Sequence, residues 1–163
     1  MKNVKVYINS STQTTEQKWG ITFTDIAVSS LMTPAPKKEY LKNKSPLKHG
    51  AQVLTNSNTI PKTDERSIQL TFFLKAPTLA QFFMRYRAFC NELEKGDLRL
   101  ILHVYEDTTF FKETYNLKYI SCPQFSEYNG RLAKFVLKVN EPNPKNRELQ
   151  HSANITLNED IYS

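Results

Sequence analysis

The stretch 65-ERSIQLTFFLKAPTLAQFFMRYRAFCNELEKGDLRLILHVY-105 carries three hydrophobic periods in succession. Ile68, Leu70, Phe72 and Leu74 alternate with Gln69, Thr71 and Phe73, a period of two that makes a half-buried strand. Pro77 and Thr78 stop it. Thr78 with Gln81 three residues on is a capping-box pattern, so a helix starts there. At 3.6 residues per turn, Leu79, Phe82, Phe83, Tyr86, Phe89, Cys90 and Leu93 fall in one stripe. Gln81, Arg85, Glu92 and Lys95 fall opposite, and Arg87 near the edge. Gly96 stands where a left-handed C-cap is wanted, and Leu98, Leu100, Leu102 and Val104 resume the alternation of a strand.

Aromatic and basic residues interleave in this stretch as they would on a surface that stacks bases and neutralises phosphates. The periodicities sort them differently, aromatics inward and charges outward. The aromatics are therefore expected to be packing, and truncation of Phe83 to Ala to cost ~3–5 kcal/mol.

Outward from this centre, strand signals dominate. Val4, Val6 and Ile8 alternate, as do Trp19, Ile21 and Phe23 after a Ser/Thr-rich turn; the apolar stretch Ile26 to Leu31 follows and ends at Pro34 and Pro36. Phe111 to Ile120 reads as the return strand of a hairpin turning at Thr108. Arg131 to Val139 reads as a last strand, introduced by Tyr128-Asn129-Gly130. The order implies a mainly β fold, a β-sandwich or split barrel with one amphipathic α-helix packed on the sheet. Residues 1–144 are expected to form a single domain with a long loop over 37–61, and 145–163 a polar C-terminal arm.

With 163 residues and a formal net charge of +6, the chain is long enough for a core without disulfide or metal staples. No segment is apolar enough to span a bilayer, and no signal-peptide pattern opens the sequence, so no membrane association is expected. Cys90 and Cys122 lack ligand spacing, His49, His103 and His151 are isolated, and no phosphate-binding glycine loop or nucleophile elbow occurs. No cofactor, metal or catalytic residue is expected, and the reading is not an enzyme. The carboxylates Asp97, Glu106, Asp107 and Glu113 invite comparison with a cation site, but turns favour such residues anyway. The excess charge is partly local: PKKEYLKNKSPLKHG (Pro36 to Gly50) holds Lys37, Lys38, Lys42, Lys44 and Lys48 against Glu39. Such a patch favours a neighbouring subunit or an acidic partner.

From Gly50 to Pro144 the chain resembles the N-terminal domain of phage distal tail proteins. The resemblance lies in DERSIQLTFFL as the strand after the long loop and APTLAQFFMRYRAFCNELEKGDLRLILHVYED as helix, glycine stop and strand. FFKETYNLKYIS resembles the family's return strand, GRLAKFVLKVNEPNP its closing strand, and the upstream WGITFTDIAVSSLMTPAPKKEY its opening strand and approach to the loop. It implies a tail-tube-like fold and a structural role in a phage or prophage tail, as a baseplate-hub ring joining tail tube to tip. Implied partners are further copies in a homohexamer, and the tail tube, tape measure and tail tip. The implied location is the virion tail, after assembly in the bacterial host cytoplasm. Tail-tube and tail-terminator ring proteins are related alternatives, and a basic nucleic-acid-binding module is a remoter one; no specific nucleic-acid binding is expected. Lys37, Lys38, Lys42, Lys44, Lys48 and Arg147 are the expected subunit contacts, within Lys37 to Thr59 and Arg147 to Ser163.

Overall fold

The computed structural model describes residues 3–38, 42–44, 51–53 and 62–156. The chain runs β1 (Val4–Ile8), α1 (Thr15–Trp19), β2 (Ile21–Phe23), α2 (Asp25–Met32), β3 (Lys42–Lys44), β4 (Ala51–Val53), β5 (Arg66–Lys75), α3 (Leu79–Glu94), β6 (Asp97–Glu106), β7 (Thr109–Ser126), β8 (Leu132–Glu141) and β9 (Glu148–His151). The fold is mainly β. A seven-stranded, nearly closed, barrel-like sheet has the order β1-β6-β7-β8-β5-β2, with β9 on β7; β3 and β4 form a separate two-stranded sheet. Every strand pairing among the described residues is antiparallel. Where the barrel stays open, between β1 and β2, an open cleft of about 660 Å³ is lined by both edges and by α1.

The alternation read in the sequence sets the register. Leu70 lies opposite Leu137 and Phe72 opposite Phe135, while Leu98 and Leu100 lie opposite Leu117 and Tyr115. These inward residues are almost wholly buried, each contributing ~1.5–3 kcal/mol of transfer free energy. Aromatic rings weld the helix to the sheet: Phe89 stands edge-on to Phe72 at 5.4 Å and to Trp19 at 5.5 Å, and Phe72 stacks on Phe135 at 5.1 Å.

Three helices, not one, occur among the described residues. Trp19 was expected in a strand and instead ends α1. Thr14 accepts from the Gln17 amide while the Gln17 side chain returns to Thr14, and Gly20 at φ +67° closes the turn. The apolar stretch Ile26 to Leu31, expected to be extended, is α2. Thr24 caps it, and Ala27, Val28 and Leu31 bury one side. Short helices of one or two turns offer too few residues for periodicity to outvote alternation, and here the caps carried the information.

On α3 the expected stripe is rotated. Phe82, Phe89 and Leu93 are buried as read, but Leu79 (53% exposed) and Phe83 (45%) are not. At about 100° per residue, Leu79, Cys90 and Phe83 lie roughly 60–100° to one side of the Phe82 line. Glu92, read as outward, lies on the other side and is buried, its carboxylate accepting from Asn9 at 2.6 Å and from Lys95 at 3.0 Å. Burial raises its carboxyl pKa, and those partners outweigh it and lower the net value. The α1 side of α3 is covered and the Phe83 side is not.

The polar stretch read as an arm returns to the sheet. Before Lys118 the edge of β7 has no β8 beside it, and β9 covers part of it, Glu148 to His151 pairing with Thr114 to Phe111. Its sequence has no alternation because an edge strand of four residues is held by backbone bonds that any residue can make. Among the described residues no helix is long and apolar enough to cross a membrane.

Candidate functional site

Three arrangements stand out, and each begins from a short piece of sequence. The first is the excursion between α2 and β5. Lys37 and Thr63 form an isolated antiparallel bridge, in which the Lys38 amide donates to the Lys62 carbonyl at 3.0 Å and the Asp64 amide to the Pro36 carbonyl at 2.8 Å. This stem brings both ends of the excursion together. Beyond it, Lys42 to Lys44 pairs with Val53 to Ala51 and, among the described residues, with no other strand. Lys37 and Lys38 are exposed on the stem, Lys42 and Lys44 are strand positions of β3, and Lys48 lies outside the described residues.

Below the stem is a buried ionic cluster. Arg66 opens β5, and its Nε donates to Glu141 Oε1 at 2.5 Å. Its two other nitrogens donate to the carbonyls of Ser30, Leu31 and Thr33 at 2.6–3.2 Å. Those are the last carbonyls of α2, a helix with no basic residue in its last turn, so Arg66 caps it from another element. Arg147 grips Glu141 with both Nε (2.8 Å) and Nη2 (2.7 Å), and its Nη1 reaches Glu113 Oε1 at 3.3 Å. Two cations and two carboxylates thus meet beside Tyr115, whose ring lies 4.9 Å from the Arg147 guanidinium and 5.5 Å from that of Arg66. Burial pushes the Glu141 carboxyl up, but the two guanidiniums prevail and hold it below its ordinary range; burial keeps the Tyr115 phenol far above its own. Arg147, expected beside the lysines as a subunit contact, therefore turns inward, and the structure does not bring it onto their surface. It helps to root the stem: Thr33 lies three residues before Pro36, and Arg66 two after Asp64.

The third arrangement was not foreseen. Phe82, Phe83 and Tyr86 of α3, with Phe125 at the end of β7 and Tyr128 in the following turn, line an open groove of about 200 Å³. Their rings lie 5.4–6.5 Å apart, and Phe83, Phe125 and Tyr128 are each nearly half exposed, with exposed Leu79 beside them. Contiguous apolar exposure of this kind marks interaction surfaces. The signal was present in the sequence as an apolar arc wider than one sheet face can cover.

The outer face of β1, β6 and β7 carries a milder feature. Register places Lys5, His103 and Lys112 in one row, with Lys5 over the Tyr105 ring at 5.4 Å and His103 5.4 Å from Tyr105 and 6.0 Å from Phe110. Burial, then Lys112 and Lys5, lower the His103 pKa.

The carboxylates compared with a cation site do not converge. Asp97 pairs with Lys118, Glu113 faces inward to Arg147, and Glu106 lies at the other end of β6, by the Asp107 turn. No metal-holding group of His, Cys, Asp or Glu occurs among the described residues. No protein-family model, curated protein or solved structure matches the chain.

Proposed function

We propose that this chain is a structural ring protein of a phage or prophage tail, most closely the distal tail hub that joins tail tube to tip, with tail-tube and tail-terminator rings as the neighbouring assignments. The observation that carries the proposal is the stemmed β3–β4 hairpin. A two-stranded hairpin in water is marginal by itself, so one standing off a well-packed barrel is suited to being completed by a neighbour. Its stem is rooted in the Arg66–Glu141–Arg147 cluster, which supplies the rigid base that a docking element needs. Lys37, Lys38, Lys42, Lys44 and Lys48 would then meet acidic groups on the adjacent copy. The exposed aromatic groove adds a second surface that assembly would cover. The hexameric count, the hub position and the tail partners rest on the sequence resemblance.

The stem geometry gives a clean test. Lys38 and Lys62 already face each other across one bond of a strand pair, Lys38 N–H to the Lys62 carbonyl, so an Asn-Gly turn in place of residues 39–61 is suited to close the stem there. Wild-type protein at tens of micromolar is expected to give ring images and six times the protomer mass by light scattering. The excised variant is expected to keep its melting temperature and remain monomeric. Rings formed by the excised variant, or a wild type that never assembles, would count against the proposal.

The Lys5–His103–Lys112 row favours one second reading, a surface for single-stranded nucleic acid. It predicts oligonucleotide binding that weakens steeply with salt and is lost when Lys5 and Lys112 become Glu.

A further inference from the structure

We infer that the aromatic groove of Phe82, Phe83, Tyr86, Phe125 and Tyr128 receives the C-terminal segment Leu157–Ser163 of a second copy of this chain, with Tyr162 as its anchor. The inference rests on the assembly reading above and names the site and the segment that would join adjacent copies.

Three observations carry it. The groove is open, apolar and lined by aromatic rings, a surface suited to one or two large side chains of an extended segment. The segment LNEDIYS supplies one aromatic side chain, Tyr162, preceded by Glu159 and Asp160. The surroundings of the groove lean positive: exposed Arg87 follows Tyr86 on α3 and exposed Arg131 follows the Tyr128 turn, with Glu127 as the single acid between Phe125 and Arg131. Acidic residues ahead of the anchor suit that charge.

Reach decides whose tail it is. After β9 the chain is tied to the start of β7: the Ser152 amide donates to the Phe110 carbonyl at 3.0 Å, and Asn154 bonds the Thr109 hydroxyl at 2.5 Å. The groove lies at the far end of that 18-residue strand, past its register shifts and about 50 Å along the chain at ~3.3 Å per residue. Tyr162 stands six residues beyond Thr156, an extended reach of about 21 Å. That reach is less than half the strand's length, which favours the tail of a neighbour over the chain's own as the occupant.

The test uses full-length chains in which Cys90→Ala and Cys122→Ser remove the native thiols. One population carries Phe83→Cys, the other Tyr162→Cys with a mass tag, and the two are mixed at tens of micromolar under mild oxidation. The expected result is a mixed disulfide between the two populations, at least about tenfold above a control in which Tyr7→Cys replaces Phe83→Cys, as an anchor worth a tenfold affinity change implies. Without cross-linking, Tyr162→Ser or Phe83→Ser is expected to weaken self-association about tenfold in sedimentation. No mixed disulfide overturns the inference, as does ring closure within one chain when a Phe83→Cys, Tyr162→Cys double variant is oxidised at high dilution. Rings that persist unweakened in both serine variants sink the docking and leave the ring proposal standing. A mixed disulfide between the two populations, with a wild type that forms no rings, does the reverse.

Discussion

Replacing Glu141 with Ala tests the reading of the ionic cluster most directly. The carboxylate is fully buried and accepts three charge-assisted hydrogen bonds, one from Arg66 at 2.5 Å and two from Arg147 at 2.7 and 2.8 Å. Removing it strands two guanidiniums in the protein. Arg66 keeps its three carbonyl partners at the end of α2, and Arg147 keeps Glu113. The loss is therefore that of one partner from a buried ion pair, ~3–5 kcal/mol, and not the larger cost of two isolated charges. For a domain of this size each kcal/mol moves the melting temperature by about 2–4 °C, so calorimetry at pH 7 is expected to show a fall on the order of 10 °C. Glu141→Gln, which keeps the shape and one acceptor, is expected to fall by about half as much. The pH dependence gives an independent check. The folded-state pKa of Glu141 is depressed, so the stability it contributes is complete above its unfolded value, about 4.3, and is lost as pH falls below that toward the folded value. The Gln variant lacks this group, and the gap between its stability and that of the wild type is expected to narrow as pH falls from 5 to 3. A Glu141→Ala protein melting within about 2 °C of the wild type at pH 7 would refute the cluster's structural role.

Other outcomes follow from the packing and the caps. In urea denaturation Phe89→Ala is expected to cost ~3–5 kcal/mol, whereas exposed Phe83→Ala is expected to cost about 1 kcal/mol or less; equal losses would restore the single-stripe reading of α3. Gly20→Ala is expected to lower stability by about 2 kcal/mol or more, because its φ is +67° and the added Cβ would sit 2.2 Å from the Lys75 carbonyl oxygen. A neutral Gly20 variant in the same assay would show that β2 and β5 are not held that close. Thr14→Ala removes the α1 cap and is expected to cost ~1 kcal/mol, read from chemical melts; a gain would mean the cap is unformed in solution.

Much of the fold was legible in the sequence, because alternation in β1, β5, β6 and β8 and the stripe of α3 are properties of the chain itself. Gly96, Asn129 and Gly130 marked real turns for the same reason: their positive φ or side-chain turn bonds are local requirements. Even the ionic cluster left a trace. Glu113 shares inward parity with Tyr115 and Leu117, Glu141 with Leu137 and Val139, and Arg66 with Ile68 and Leu70, three charges where apolar residues were due.

Partnership was another matter, and only the tertiary structure decided it. Which arginine neutralises Glu141 depends on β5 lying beside β8 and on β9 resuming the edge of β7, contacts between residues as many as 75 apart. Whether Phe83 is core or surface depends on how α3 rolls on the sheet, and the flank turned inward is the one where Asn9 holds Glu92 and Trp19 meets Phe89. Local sequence fixes the period of an amphipathic element, and its neighbours fix the phase. The aromatic groove, the candidate working surface of this protein, exists because the apolar arc of α3 is wider than the neighbours cover.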